Sequence, residues 1–315
     1  LQEGPQGKIY YLKAARHAKF PVHPQHGSLI EVDSDGQESR IIATGFRAPN
    51  GIGLDSSEVF WGSDQEGRGM PANRINRITR ESFHGNQWSV SMLTALSARD
   101  DYDRPLLWVH PTVDRSPSAQ LRVPLGAWGE LSGKLLGLSY GTGEVYLILE
   151  ETVGEVHQGA LVPLPIEIPT GAMRGRFHTD GSLYLCGLFG WSSDKTDEGG
   201  FYRVRKTATS LAMPLRVQAK DSGLVIDFSE AITTANEDLA EAFQLEGWNY
   251  RYSSNYGSPK LDLENGGEGT TNFTVSSATL SENRRQVHLL IEEMKPAMQL
   301  HLDWNLQFGD LGEKS

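Results

Sequence analysis

Residues 45 to 86 hold the densest run of groups able to do chemistry: GFRAPNGIGL, then EVFWGSDQEGRGMPANRINRI, then FHGN. Each has a local reading first. Arg47 can hold a turn by bonding carbonyls, Asp64 can cap one, and Asn50 ahead of Gly51 can supply turn conformation. His17, His23 and His26 fall in the loop RHAKFPVHPQHG, a spacing that suits either a metal site or three solvated imidazoles. The one cysteine, Cys186, leaves no disulfide within the chain, no thiolate zinc site and no CxxCH haem attachment. Flanked by Leu185 and Gly187 in an apolar strand pattern, it reads as a core thiol. DSDG at 33–36 lacks the twelve-residue ligand set of a calcium loop and reads as a hairpin turn. Asn272-Phe273-Thr274 has the form of a glycosylation sequon.

The elements that must position these groups are strands. The chain has 315 residues, 38% hydrophobic and 22% charged, with seven Trp, enough to bury a sizeable core and to exclude wholesale disorder. That length is one large domain or two ordinary ones. The 29 Lys+Arg against 40 Asp+Glu give a net charge of −11, which disfavours nucleic acid as a partner. No run approaches eighteen apolar residues, so no membrane span is expected, and LQEGPQGK carries no signal-peptide pattern. With 34 Gly, 15 Pro and few helix-length periodic stretches, the class is all-β.

A recurring unit runs through GKIYYL, SSEVFWGSD, GEVYLIL and DGSLYLCGL: a Gly or Asp turn, then a short apolar run with an aromatic. Matching Ile9, Val59, Val145 and Leu183, with RPLLWVHP near Leu106 filling the longest gap, gives the spacing of four-stranded propeller blades. Four or five such units occupy residues 1–206. From Met213 the texture changes to about seven alternating strands without that period, which predicts an Ig/FnIII-like β-sandwich over 212–315, with the boundary in KTATSLAMP. Helix is expected only for a turn or two near Ala235 to Phe243, with Asn236 as N-cap. The expected fold is therefore a β-propeller, six-bladed and incomplete here for want of N-terminal blades, followed by a sandwich. Open strand edges call for the missing N-terminal segment or a second chain.

Arg47-Ala48-Pro49-Asn50-Gly51, Asp64-Gln65, Arg74-Ile75-Asn76 and His84-Gly85 follow in the order found in glucose/sorbosone dehydrogenase-like propellers, which this region resembles. DRSPSAQ, GELSGKLLGLSYGTGEVYLILEE, QGALVPLP, TGAMRGRF, DGSLYLCGLFGW, GGFYRVR, WNYRYSSNYGS and PAMQLHLDWNL are similar to the C-terminal part of the large "membrane-bound dehydrogenase" propellers of Planctomycetes, Verrucomicrobia and their relatives. That resemblance covers nearly the whole chain. It implies pyrroloquinoline quinone (PQQ) with calcium, a sugar or alcohol substrate, a cytochrome c partner or domain with haem outside this chain, and a periplasmic or extracellular location.

On the same resemblance the cofactor residues are Arg47, Gln65, Asn73, Arg174 and Arg176, the arginines because a planar guanidinium matches a carboxylate. For the metal, Gln65 matches a position beside the calcium of those dehydrogenases, while Asn50 and Asp64 are metal residues because Pro49-Asn50-Gly51 also resembles the metal-ligand turn of six-bladed gluconolactonase-like hydrolases. Glu66 stands where the family has Gly, Asn73 where an acidic residue is expected, and the general-base His belongs to a blade outside the chain. Three functions stay open: a quinone-dependent dehydrogenase, a lactonase-like hydrolase in which Asn50 and Asp64 hold calcium against a lactone carbonyl, and a non-catalytic propeller–sandwich binding or assembly module.

Overall fold

The computed structural model describes residues 1–15, 23–55, 59–86, 102–190 and 193–309. The regular structure of the described residues is nearly all strand, with three single-turn 3₁₀ segments. None of the helices there is long and apolar enough to cross a membrane. The chain divides into two compact units: Leu1–Ile148 with Pro163–Lys206 and Arg251–Ser258, and Leu149–Val162 with Thr207–Tyr250 and Pro259–Ser315.

Among the described residues the first unit is built on four sheets whose strands follow one another in chain order, the Leu149–Val162 part of the third sheet belonging to the second unit. The first holds β1 (Gln2–Glu3), β2 (Ile9–Lys13), β3 (Ser28–Val32) and β4 (Ser39–Thr44); the second, β5 (Ile52–Leu54), β6 (Phe60–Asp64), β7 (Asn73–Ile78) and β8 (Leu107–Val109). The third holds β9 (Pro117–Arg122), β10 (Leu135–Ser139), β11 (Glu144–Val153) and β12 (Val156–Glu167); the fourth, β13 (Gly171–Phe177), β14 (Leu183–Leu188) and β15 (Gly199–Val204). The opening strand of each sheet touches that of the next, β1 to β5, β5 to β9 and β9 to β13. Meandering sheets joined through their first strands make a propeller-like unit. Tyr10, Leu29, Ile42, Phe46, Phe60 and Ile78 bury their side chains between the first two sheets, with the Tyr10 and Phe60 rings 4.7 Å apart. At the next junction Gly51, with φ +108°, runs so close to β9 that a Cβ would lie 2.5 Å from the Cα of Ala119.

Several expectations need correction. Ile9 and Leu183 lie on second strands and Val59 immediately precedes one, but Val145 lies on the third strand of its sheet, so the apolar match slipped by one strand. Leu106 precedes β8, the outermost strand of the second sheet, and marks no blade of its own; the described residues of this unit form four sheets. Cys186 is exposed: Leu183 and Leu185 of β14 face inward, and the two-residue period turns Cys186 outward. DSDG does form the β3–β4 turn, closed by the Gly36 N–H donating to the Asp33 carbonyl at 2.8 Å.

In the second unit, β16 (Pro214–Lys220), β17 (Gly223–Phe228), β20 (Val275–Leu280) and β21 (Gln286–Ile291) form one sheet in the order β16-β17-β21-β20. A second sheet orders β18 (Phe243–Trp248), β19 (Thr271–Phe273) and β22 (Gln299–Trp304) as β19-β18-β22. Leu224, Ile226, Phe228, Phe243, Leu245, Val287 and Leu289 share one apolar core, the inward half of each alternating strand, which makes this unit a β-sandwich. On the edge strand β16 the Ala219 N–H donates to both carboxylate oxygens of Glu151, occupying a donor that a second sheet could otherwise use. The short 3₁₀ turn Asn236–Asp238 is capped by Ala235 without a side-chain bond, and Asn236 instead accepts from Arg284 at 3.0 Å, so it is not the N-cap.

Candidate functional site

The turn before β5 hangs on one carboxylate. Asp64, wholly buried at the end of β6, accepts the N–H of Arg47 at 2.7 Å through Oδ2, and those of Ala48 at 2.6 Å and Gln65 at 2.9 Å through Oδ1. Burial raises its carboxyl against these bonds and the field of Arg74. Asn73 does the same work for the following turn: its Oδ1 accepts the Glu66 N–H at 2.8 Å and its Nδ2 donates to the Asp114 carbonyl at 2.6 Å. Gln65 donates to Ser116 Oγ at 2.6 Å. Asn50 accepts from Arg174 at 3.1 Å, and Arg176 donates to Gln2 at 3.2 Å.

Asn50, Asp64 and Gln65 thus serve the fold. Calcium asks for six to eight oxygens at once, whereas Asp64 is committed to three amides and Asn50 Oδ1 to a guanidinium. These residues do not fit a calcium ion. Among the described residues no three His, Cys, Asp or Glu side chains gather as metal ligands. Of the histidine loop, His17 lies outside the described residues, while the His23 N–H donates to His26 Nδ1 at 3.1 Å within a local turn. His84 is buried against Phe46, ring centroids 4.6 Å apart, with Ser82 Oγ 2.9 Å from Nε2. Burial, helped by Arg74, holds its imidazole well below the ordinary range and therefore neutral.

Arg47 is different. No hydrogen bond joins its guanidinium to a described residue, and its Nε is buried without a partner. The Tyr256 ring lies 5.3 Å from its Cζ. Glu66, half-buried, is close enough for the Arg47 charge to pull its carboxyl down, yet burial prevails and the carboxyl is raised. The two make neither an ion pair nor a hydrogen bond. Each sits over a glycine: a Cβ on Gly67 would lie on the Arg47 guanidinium, and one on Gly257, at φ +68°, would come within 3.0 Å of Glu66 Oε2. A buried polar atom left unbonded is expensive and draws a partner.

The wall carrying Tyr256 comes from Arg251–Ser258, in the first unit although far along the sequence. Its Ser253 carbonyl accepts from Gly69 at 3.1 Å, its Gly257 N–H donates to the Gly67 carbonyl at 3.2 Å, and Tyr256 forms a bridge with Arg68. Tyr252 anchors it, 4.9 Å from the Tyr102 ring and with its hydroxyl 3.4 Å from Arg74. Arg74 is wholly buried, donating to the carbonyls of His84 at 2.8 Å and Asp103 at 2.6 Å and lying 5.2 Å from the Trp108 ring.

The contacts bring Arg174 to Asn50, three residues from Arg47, and not to Arg47 itself. Sequence reasoning passed over Tyr256 and Gly257, which stood in a Gly- and Asn-rich loop, and noted Glu66 only as a departure. An aromatic beside Gly in such a loop is the signal that was available. Asp114, the first residue of DRSPSAQ, is also wholly buried: Oδ1 takes Ser116 N–H and Ser139 Oγ, Oδ2 has no partner, and burial pushes its carboxyl up to about 7.

No family model matches the chain, and no curated protein matches it either. Solved structures to which it is similar include a glucose dehydrogenase, 15% identical over 64% of this chain and 62% of that one, TM-score 0.48. Another is the soluble aldose sugar dehydrogenase of Escherichia coli in its apo form, 14% identical over 62% and 60%, TM-score 0.45. A third is the PQQ-bound aldose sugar dehydrogenase of Streptomyces coelicolor, 13% identical over 56% and 52%, TM-score 0.39. This chain spans less than two thirds of each, and at this level of similarity none of them assigns an activity to it.

Proposed function

We infer that the first unit is a quinone-dependent dehydrogenase-like propeller whose cofactor-facing cation is Arg47. One observation carries this reading: a guanidinium whose Cζ lies 5.3 Å from the Tyr256 ring, with its buried Nε bonded to nothing. Such a group fits a carboxylate of a planar polycarboxylated ligand, since its fork matches two oxygens. Bound PQQ would supply a two-electron acceptor for an alcohol carbon. On the protein's side Arg47 binds and orients, while Asp64 keeps its turn rigid by spending its carboxylate on amides, and Asn73 holds the following turn at Glu66. Gln65 and Asn73 support that frame, and Arg174 and Arg176 stand on the adjoining first strand β13, Arg174 through Asn50.

From the resemblance the reading further includes a sugar or alcohol substrate, a cytochrome c acceptor with its haem outside this chain, an extracytoplasmic location, and propeller sheets supplied by the same or a second chain. The non-catalytic binding module is the second reading, favoured by Glu66, whose charge opposes an anion at Arg47. The calcium lactonase loses ground because Asn50 and Asp64 are committed to the fold.

Titrating the protein with PQQ, with and without calcium, and following the quinone absorbance tests the proposal. Binding independent of calcium is expected, weakened by about 2–4 kcal/mol in Arg47→Ala and partly restored in Arg47→Lys. An unchanged quinone spectrum with wild type, or equal binding by Arg47→Ala, would overturn it.

A further inference from the structure

Asp114 is a buried acid with no part in the reading above, and its bonding is lopsided. Oδ1 accepts the Ser116 N–H at 2.8 Å and the Ser139 hydroxyl at 2.7 Å, while Oδ2, equally out of water, accepts nothing. Two donors on one oxygen and none on the other is the pattern of a neutral acid, whose carbonyl oxygen accepts and whose hydroxyl carries the proton. A carboxylate would spread its charge over both oxygens and leave one bare, and a bare buried charge costs far more than a hydroxyl without an acceptor. The neighbours act the same way. From β11, Glu144 takes the hydroxyls of Thr142 and Tyr146, both at 2.8 Å, and opposes a second negative charge at Asp114. Arg115, next to it in the chain, is paired with Asp194, and the residues bonded to Asp114 through their side chains, Ser139 and Asn73, are uncharged.

The 114–116 turn also holds the loop of the candidate site. The Asp114 carbonyl accepts from Asn73 Nδ2 at 2.6 Å, Asn73 Oδ1 accepts the Glu66 N–H at 2.8 Å, and Ser116 Oγ accepts from Gln65 at 2.6 Å. These bonds join Asp114 and Ser116 to the segment that brings Glu66 and Gly67 against the Arg47 guanidinium.

We propose that Asp114 is a proton latch on this site: as the neutral acid it keeps the 114–116 turn closed on residues 65–73, and on ionisation the turn opens to water and releases them. The inference rests on the reading above for what residues 65–73 serve, and adds how their order is controlled. Burial, reinforced by Glu144, raises the folded carboxyl from the ordinary 3.8 to about 7. The closed turn therefore holds the proton more tightly than an open one. Opening becomes easier by up to about tenfold per pH unit from about pH 4 to about pH 7, and levels off above.

The test is amide hydrogen exchange on the intact protein without quinone, read as protection factors from about pH 5 to about pH 8, with the Asp114 carboxyl followed by ¹³C NMR. The Asp114 resonance should titrate near pH 7. Protection at the Glu66 and Ser116 amides should fall roughly fiftyfold between about pH 5 and pH 7 and only about twofold more by pH 8. Asp114→Asn copies the acid, its Oδ1 accepting the same two donors, and should hold full protection across that range. Glu144→Gln keeps the Asp114 carboxyl but removes the charge facing it, and should move both the resonance and the levelling of protection to lower pH. Wild type and Glu144→Gln decide the matter even if Asp114→Asn does not fold. An Asp114 resonance that titrates near pH 4, or protection at Glu66 as steep in pH in Asp114→Asn as in wild type, would overturn the latch. Either result leaves the quinone reading standing, since no quinone is present. A protein that shows the pH step and does not bind PQQ keeps the latch and loses that reading.

Discussion

The two units solve the problem of a core in opposite ways. In the second, Leu224, Ile226, Phe228, Phe243, Val287 and Leu289 fill the space between two sheets, and the only fully buried polar side chain there among the described residues is Ser229. In the first, Glu31, Asp64, Asn73, Arg74, Asn76, His84, Asp114 and Gln120 are all buried. Burying such groups is costly unless they are bonded, and most of these bonds run to backbone atoms of loops: Asp64 to the 47–48 amides, Asn73 to Glu66 and Asp114, Arg74 to the carbonyls at 84 and 103. The apolar core holds sheets together; the polar interior sets the positions of loops. Chemistry is to be sought where the loops are set, at the few groups left unspent.

Substitutions can break that contrast. Arg74→Met keeps the bulk but strands two carbonyls and Asn76, and should cost about 3–5 kcal/mol, the range seen when a buried charge network loses a member. Hydrogen exchange should show the loss concentrated in residues 66–86 and 251–258. Glu31 comes next. Its carboxylate, 1% exposed, meets Arg80 at 2.7 Å, Tyr10 at 2.9 Å and Lys8 at 3.3 Å, and Arg80, Tyr10 and Lys8 together hold it at about 2 despite burial. Because the folded value lies below the ordinary 4.5, the stabilisation is fully present above pH 4.5 and is lost as pH falls toward 2. Glu31→Gln should therefore cost on the order of 2–3 kcal/mol at neutral pH and nothing near pH 2, as urea melts across pH will show. In the second unit, Ile226→Leu conserves volume and should cost less than about 1.5 kcal/mol. A loss there as large as for Arg74→Met would erase the distinction between the two cores. The smallest effect is Tyr252→Phe, which removes a 3.4 Å bond to Arg74 and should cost roughly 0.5–1 kcal/mol in the same melts.

What could be read from sequence divides along the same line. The sandwich strands alternate with period two, as in QVHLLI with Val287, Leu289 and Ile291 inward, so the β class was legible there. The propeller texture was legible too, but its phase was not: GEVYLIL and SSEVFWGSD carry the same apolar signal on a third and a second strand, because burial on both sides of a sheet hides which strand is which. Asp64 reads as a polar residue at a turn and accepts turn amides at 47, 48 and 65, whereas the Asn50 side chain reaches out of its turn to Arg174 of β13. Glu66 and Tyr256 could not be joined from the sequence because nothing local links residue 66 to residue 256; only the backbone bonds of the folded chain do.

The central claim is that the Arg47 guanidinium is placed but unspent. Its Nε–H resonance in a ¹⁵N-labelled sample, assigned by its loss in Arg47→Lys, reads this directly. In the free protein the proton should exchange slowly, because it is buried, and resonate as a group without an acceptor; PQQ should move it to a hydrogen-bonded shift. A resonance already at the hydrogen-bonded position in the free protein, and unmoved by PQQ, would contradict the account.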